Sequence, residues 1–520
     1  MKSIFKSVAI ITVFAVITRV LGFVFRIYMS RVLGSELLGI YQISFSIFGV
    51  LLMLVSSGLP LVISKLTAKF STQRDKISEH RMMSSALILA LAFSFGLSAI
   101  TLALSPVLNL ILLDKQCVTI LLILLPAVVF SAVYSVFRGN LWGHDKYFGV
   151  CATELFEQIV RIVLCIVFFT FLNKSLSGVV SASLSLTIAC FCSAALVVIL
   201  YFAQGGRLKK PSKTYKEITK SATPITAVRF AVSMMQPLIA IIIPLMLEKA
   251  GYSTSQALGL YGIAAGMTFP LLFVPTTLVS SLSMAIIPDL STAQTNNDAS
   301  HVKNRTSSSI AFALFISTFL VPIYIAVGEQ VGKFFYNNLT SGKLLARFAW
   351  VMIPMGLNNI STAILNGLGL EMKSFVNSLL GSVLMILGAL ILPKFVGIDA
   401  LGYSLGLSMT LTAILNIQKI KKATNAHLNI FKPLLKMCFI SVPVAALTSF
   451  FAGILEHFFT PFFVLAVSCS LGAIFFFVLC LVFKVINVDA YLIKIKKFKL
   501  NNMKIFKNKK KIIKKNKYIK

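Results

Sequence analysis

VAIITVFAVITRVLGFVFRIY, residues 8–28, is apolar enough to enter a bilayer, yet it holds Arg19 and Arg26. A helix of this length spans roughly 30 Å of hydrocarbon. A charge there costs several kcal/mol unless it faces protein or water. Thr12, Arg19 and Arg26 recur at i, i+7 and i+14, with Ala15 and Gly22 on the same face. One face is thus small and cationic while the rest is apolar. The pattern predicts a membrane helix lining a polar cavity, and the sign of the charge predicts an anionic cargo. Lys2 and Lys6 ahead of the run imitate a secretory leader. Thr18, Arg19 and Val20 stand where a small-x-small cleavage site would follow, so a retained first span is expected.

The same composition extends along the chain. Of 520 residues, 57% are hydrophobic and 12% charged, where a soluble protein has about a quarter charged. Apolar windows predict about 14 spans, at 7–28, 38–64, 82–104, 117–137, 148–172, 176–203, 222–247, 257–288, 307–328, 344–366, 374–393, 397–417, 437–455 and 461–483. The expected fold is an all-α polytopic membrane protein. A transmembrane barrel is excluded, because its strands would alternate apolar and polar over about ten residues. Eight cysteines lie in or beside apolar spans without a CxxC, which reads as inert buried thiols. The five histidines have no metal-ligand spacing, and no phosphate-binding loop occurs, so neither metal nor cofactor is expected.

With the N-terminus in the cytoplasm, inner loops collect about 23 Lys and Arg against about 8 outside, the tail excluded. Lys65, Lys69, Arg74, Arg138, Lys209 and Lys421 are among the inner set. Both termini are then cytoplasmic. The net charge of +33 owes much to a Lys-rich tail, Lys494–Lys520, which lacks acids and aromatic stacking platforms. It reads as lying against anionic lipid headgroups rather than nucleic acid.

Two segments repeat. Lys6-Ser7-x-x-x-Ile11-Thr12 is echoed by Lys220-Ser221-x-x-x-Ile225-Thr226, and Leu38-Gly39-Ile40-Tyr41 by Leu258-Gly259-Leu260-Tyr261. Their shared order predicts two six-helix lobes, 1–205 and 206–420, related by a parallel pseudo-two-fold. Two further spans at 421–486 and a tail at 487–520 follow. Parallel repeats of this kind suggest a transporter binding its cargo between the halves.

Four of the six ionisable residues inside apolar spans are arginines: Arg19, Arg26, Arg161 and Arg229, beside Glu154 and Glu157. An Arg fork grips phosphate oxygens through two parallel hydrogen bonds. Thr226, Arg229, Ser233 and Gln236 make a second cationic stripe on the seventh span, bracketed by Pro224 and Pro237. Facing the first stripe, it would complete a diphosphate site; bonded instead to a C-terminal carbonyl or to Glu157, Arg229 would be structural. Glu157 and Arg161 stand at i, i+4 in the favourable order, which predicts an ion pair. Glu154 is then left over to carry a proton or meet a coupling cation. Asn358, Asn359 and Asn366 on the tenth span could bind sugars or join helices, and Gly262-x-x-x-Gly266 and Gly402-x-x-x-Gly406 predict close helix packing. The candidate cargo site is Arg19, Arg26, Arg161, Arg229, Gln236 and Asn358.

Arg19-Val20-Leu21-Gly22-Phe23 through Arg26, Arg31-Val32-Leu33-Gly34, and Leu38-Gly39-Ile40-Tyr41-Gln42 resemble the opening of polysaccharide-transport flippases. Those belong to the multidrug/oligosaccharidyl-lipid/polysaccharide (MOP) exporter superfamily. Ser57-Gly58-Leu59-Pro60, Phe137-Arg138-Gly139, Glu157-Gln158-Ile159-Val160-Arg161 and Pro224-Ile225-Thr226 with Arg229 extend the resemblance over roughly residues 5–485. The nearest branch is that of the stage V sporulation proteins and lipid II flippases. The resemblance implies a V-shaped cavity, alternating access and an undecaprenyl-diphosphate-linked sugar as cargo, serving peptidoglycan or surface-polysaccharide assembly, such as the spore cortex. Cell-wall synthesis proteins are candidate partners. No covalent chemistry is needed, because the protein only shields a headgroup that cannot cross hydrocarbon unaided.

The alternative within the superfamily is a cation-coupled multidrug antiporter, which would need an acid in the core of the first or seventh span. A polytopic glycosyltransferase would need carboxylates in a sizeable outer loop, whereas the outer loops are short, with scattered acids such as Glu36 and Asp114. A scaffold for a wall-synthesis complex would keep its function after loss of Arg19 or Arg229.

Overall fold

The computed structural model describes residues 2–171, 177–211, 215–426 and 428–485, and all regular structure among them is helical. Eleven helices are long and apolar enough to cross a membrane, or 12 when one bent pair is taken as a span. The segment Ile11–Thr72 is counted once there, although 62 residues of straight helix would measure about 90 Å. It breaks at Gly34, whose φ of 73° and ψ of −177° suit a residue without a Cβ. The limbs on either side fold back on each other. Phe25 and Phe45 both contact the guanidinium of Arg161, at 4.7 and 5.9 Å. Twenty residues of unbroken helix would hold them about 30 Å apart. Tyr147–Phe171, with 25 residues, is also long enough to cross but carries Glu154, Glu157 and Arg161. Separating the limbs and adding this helix raises 12 to 14, at the positions the apolar windows predict.

Several spans are broken, each for a local reason. The second stops at Ser56 and resumes as Leu59–Thr72 with Pro60 in its first turn. The seventh divides into Tyr215–Ser233 and Met235–Lys249 ahead of Pro237, which lacks an N–H for the carbonyl of Ser233. The eighth is the most irregular. Thr254–Tyr261 passes into a π-helical turn, Gly262–Thr268, then Phe269–Leu272, and bends by 51° at Phe273 before Val274–Thr295. The Thr268 hydroxyl donates to Ile263 O at 3.2 Å, within reach of the widened turn. Pro275 cannot donate to Leu271, whose carbonyl accepts from Tyr324 Oη at 3.3 Å. In a bilayer such freed carbonyls need protein partners, since lipid offers none.

The fourth span, Lys115–Gly143, packs against the second, third and sixth, and the fifth packs on the sixth. In the C-terminal half the tenth span packs against the eighth, ninth and twelfth, and the eleventh lies along the twelfth. The last two spans, Phe431–Glu456 and Pro461–Val482, pair with each other and with Val321–Tyr336, the second piece of the ninth.

The starts of the second and eighth spans, the two repeated sequence segments, meet backbone to backbone. A Cβ on Gly262 would lie 2.7 Å from Gly39 N, and one on Gly39 would lie 2.9 Å from the Leu258 carbonyl carbon. Beside them Arg31 Nε donates to Phe335 O at 2.8 Å and Arg31 Nη2 to Phe334 O, and Ser255 Oγ donates to Glu36 Oε2 at 2.6 Å. The second small-residue motif also marks close packing, with Gly402 against Phe348 and Gly406 against Trp350.

Buried polar groups join helices within each half. Glu79, 7% exposed, accepts from Asn140 Nδ2 at 2.8 Å and lies 2.7 Å from His144 Nε2, while Asn140 also reaches Thr67 Oγ1 at 3.3 Å. Glu79→Ala leaves two polar side chains without their acceptor. The expected loss is about 2–4 kcal/mol, read as a fall of several degrees in the thermal midpoint of the detergent-solubilised protein. An unchanged midpoint would remove this cluster from the stabilising set. In the C-terminal half, Asn377 donates to Asn416 at 2.9 Å, and Asn416 reaches Thr362 and Ser361 at 3.2 and 3.3 Å.

Candidate substrate cavity

Between the first, second and fifth spans on one side and the eighth on the other lies a cavity of about 770 Å³. Arg19, Arg26 and Arg161 line it, and no acidic residue does. Arg19 and Arg26 arrive two turns apart on one helix face, as their spacing requires. Gly22, between them, opens the space that Gln158 fills: a Cβ on Gly22 would stand 3.8 Å from Gln158 Nε2. Arg161 is held by three groups of the opening limbs. Its Nη2 donates to Tyr41 Oη at 2.9 Å, and its plane contacts the rings of Phe25 and Phe45. Its Nε is buried with no hydrogen-bond partner among the described residues. The electrostatic neighbours of half-buried Arg26 are Tyr336, Arg161 and Tyr41, with no carboxylate among them. Three guanidinium groups line one partly enclosed space with no acid in the lining, while Glu157, one turn from Arg161 on the same helix, interacts with it electrostatically; such a space suits an anion. The planar guanidinium forks suit phosphate oxygens.

The other expected site residues lie elsewhere. Arg229 does not face Arg19 across the cavity; its Nη1 donates to Ser57 O at 3.3 Å. That carbonyl stands at the broken end of the second span, where the helix supplies no backbone N–H donor to it. In this arrangement Arg229 is bonded to a helix-terminal carbonyl, as in the second of the two expectations, and lies outside the cavity lining. The wall opposite the arginines comes from the eighth span instead of the seventh. Gln236 is exposed and outside the cavity lining. Asn358 Nδ2 points at Met409 Sδ, 3.1 Å away, and its Oδ1 is buried without a partner among the described residues. Asn359 joins helices, donating to Ser280 Oγ at 2.8 Å and accepting from Ser283 Oγ at 3.3 Å.

The carboxylates are also paired differently. Glu157 Oε2 accepts from Ser193 Oγ at 2.6 Å and forms no ion pair with Arg161, which the aromatic rings of the opening limbs hold instead. Glu154, expected to be left over, bridges to Arg138 Nη2 at 2.9 Å. Arg138 sits within the fourth span and not in a loop, its guanidinium 4.3 Å from the Trp142 ring one turn on.

Tyr41, Gln42, Gln158, Thr277 and Ser281 line the cavity without having been singled out by sequence. Gln42 and Gln158 stand inside motifs quoted above, and an amide in an apolar span was signal enough. Thr277 and Ser281, at i and i+4, follow two prolines, which hide their register from a simple helix count. The Lys-rich tail lies outside the described residues.

This bundle of broken membrane helices around a cavity has the fold of two solved membrane proteins. A lipid II flippase MurJ structure in an inward closed conformation matches with a TM-score of 0.71 at 14% identity, covering 91% of this chain and 98% of that one. An inward-facing multidrug resistance MATE family transporter of the MOP superfamily matches at 0.66 and 15% identity, covering 79% and 96%. This chain belongs to the polysaccharide biosynthesis protein family, whose model matches residues 4–294. Among curated relatives, stage V sporulation protein B of Bacillus subtilis (strain 168) is 25% identical over 514 residues, covering 94% of this chain and 97% of the relative. Lipid II flippase MurJ of the same organism is 21% identical over 444 residues, covering 77% and 80%.

Proposed function

We propose that this protein is a flippase. It would move undecaprenyl-diphosphate-linked sugars, either a lipid II-like peptidoglycan precursor or a polysaccharide unit, from the inner to the outer leaflet of the cytoplasmic membrane. The observation that carries the reading is the cavity lined by Arg19, Arg26 and Arg161 with no acid in its lining. A diphosphate fits that charge, and a polar headgroup needs such a slot while its lipid tail stays in the bilayer. The relatives support the cargo class: one is named a lipid II flippase and another a sporulation protein, which favours a role in spore cortex assembly. The likeness to multidrug transporters favours the antiporter alternative by fold alone, and three arginines would repel cationic drugs.

In this reading residues 1–205 and 206–420 act as two lobes that rock about the cavity, both termini lie in the cytoplasm, and the Gly39–Gly262 contact seals the outer end. At the inner end Gly58 meets the seventh span, where a Cβ would stand 2.7 Å from Ala222 O. The test is translocation of undecaprenyl-diphosphate-linked disaccharide-peptide by the purified protein in liposomes. Signal above empty liposomes is expected. Its absence, together with uptake of cationic dyes driven by a sodium or proton gradient, would replace this reading with the antiporter.

A further inference from the structure

The cavity has two walls of opposite hydrogen-bonding character. The arginine wall offers donors: a guanidinium has five N–H groups and accepts nothing. On the facing wall the eighth span presents Phe273, Val274, Leu278 and two hydroxyls, Thr277 and Ser281. Thr277 Oγ1 donates its proton to Val274 O at 2.7 Å, and Ser281 Oγ donates to Thr277 O at 3.0 Å. Each oxygen has then spent its only donor and keeps lone pairs free. Giving that proton to a ligand would break a helix back-bond. The wall therefore recognises donors.

Hydroxyls of this kind often serve only to satisfy themselves or to join helices. Ser280 and Ser283 on the same helix do so, since both meet Asn359 of the tenth span. Thr277 and Ser281 instead share the cavity-lining face. Phe273, at the 51° bend, is 40% exposed and lines the cavity with them.

We propose that the eighth span reads the sugar. Thr277 and Ser281 accept hydrogen bonds from sugar hydroxyls, and the Phe273 ring packs on the sugar's C–H face, while the arginines hold the diphosphate. A ligand with acceptors at one end and donors at the other matches both walls at once, and a glycosyl diphosphate is such a ligand. A bare diphosphate fills one wall only. The inference rests on the flippase reading and adds to it an orientation for the headgroup and a basis for preferring glycosylated lipid.

The test uses the full-length protein in lipid nanodiscs and two probes: undecaprenyl diphosphate, and undecaprenyl diphosphate bearing one N-acetylhexosamine. Wild type is expected to bind the glycosylated probe more tightly. Combining Thr277→Val with Ser281→Ala removes both acceptors, and the glycosylated probe should weaken roughly tenfold while the bare probe keeps its affinity. The bare probe thereby reports folding, and Ser281→Ala alone, at an exposed position, gives a smaller loss of the same kind. Equal affinities in wild type, or a double variant that leaves the glycosylated probe unaffected, would overturn the sugar wall and leave the flippase standing. Binding of neither probe by folded wild type would overturn the flippase reading itself.

Discussion

Arg161→Ala is expected to lower translocation of a diphosphate-linked sugar in liposomes by roughly tenfold to a hundredfold, the effect of losing a charge-assisted hydrogen bond of about 1.5–3 kcal/mol. Arg161 contributes in two ways, as a cavity cation and as the group that ties Tyr41, Phe25 and Phe45 together. Arg161→Lys keeps the charge but loses the planar contact with two rings, so it should recover only part of the activity. Arg229→Ala provides the contrast: its guanidinium meets Ser57 O and not the cavity, and its loss should cost stability more than cargo affinity. Equal loss of cargo affinity in the Arg161 and Arg229 variants would restore a site spread over both arginine stripes.

Gly262→Val should be almost as damaging through shape alone. A Cβ there would lie 2.7 Å from Gly39 N and 3.1 Å from Gly39 Cα, both main-chain atoms that cannot rotate away. Overpacking of this kind costs about 1–3 kcal/mol. Because only the closed arrangement suffers, the penalty becomes a shift of roughly 5- to 150-fold toward the state open at that end. Translocation should fall at least tenfold while the solubilised protein stays monodisperse. In a cysteine-free background, a cysteine placed at Gln42 should react faster with a membrane-impermeant thiol reagent from outside. Wild-type transport by Gly262→Val would show that the two spans need not touch during the cycle.

The spans and the first arginine stripe were legible because both depend on one helix at a time: a 20-residue apolar window and a seven-residue spacing need no partner. The misread contacts all depend on partners distant in sequence. Arg229 finds a carbonyl 172 residues away, exposed by a break at Ser57 whose geometry no periodicity reports. The i, i+4 pair of Glu157 and Arg161 is sound on an isolated helix, but two aromatic rings from other spans compete for the cation and Ser193 for the carboxylate. Arg138 was assigned to a loop because a charge so near a span's end looks solvated; in the fold it pairs with Glu154. The eighth span's hydroxyl face lies beyond a bend at Phe273, and a straight-helix projection does not carry across it.

If the protein is the flippase proposed above, three arginines in a cavity with no acid in its lining also make the empty carrier a different electrical object from the loaded one. Empty, the cavity holds three positive charges; loaded with a diphosphate of about two negative charges, it holds about one. Over a full cycle the arginines return to where they began and their electrical work cancels, leaving only that of the cargo. Within the cycle they redistribute it. To the extent that they cross the field, an inside-negative voltage slightly opposes the loaded outward stroke and strongly favours the empty return, by up to about 2.3 kcal/mol per charge for each 100 mV. Voltage then works as a rewinding spring, acting after the cargo has left.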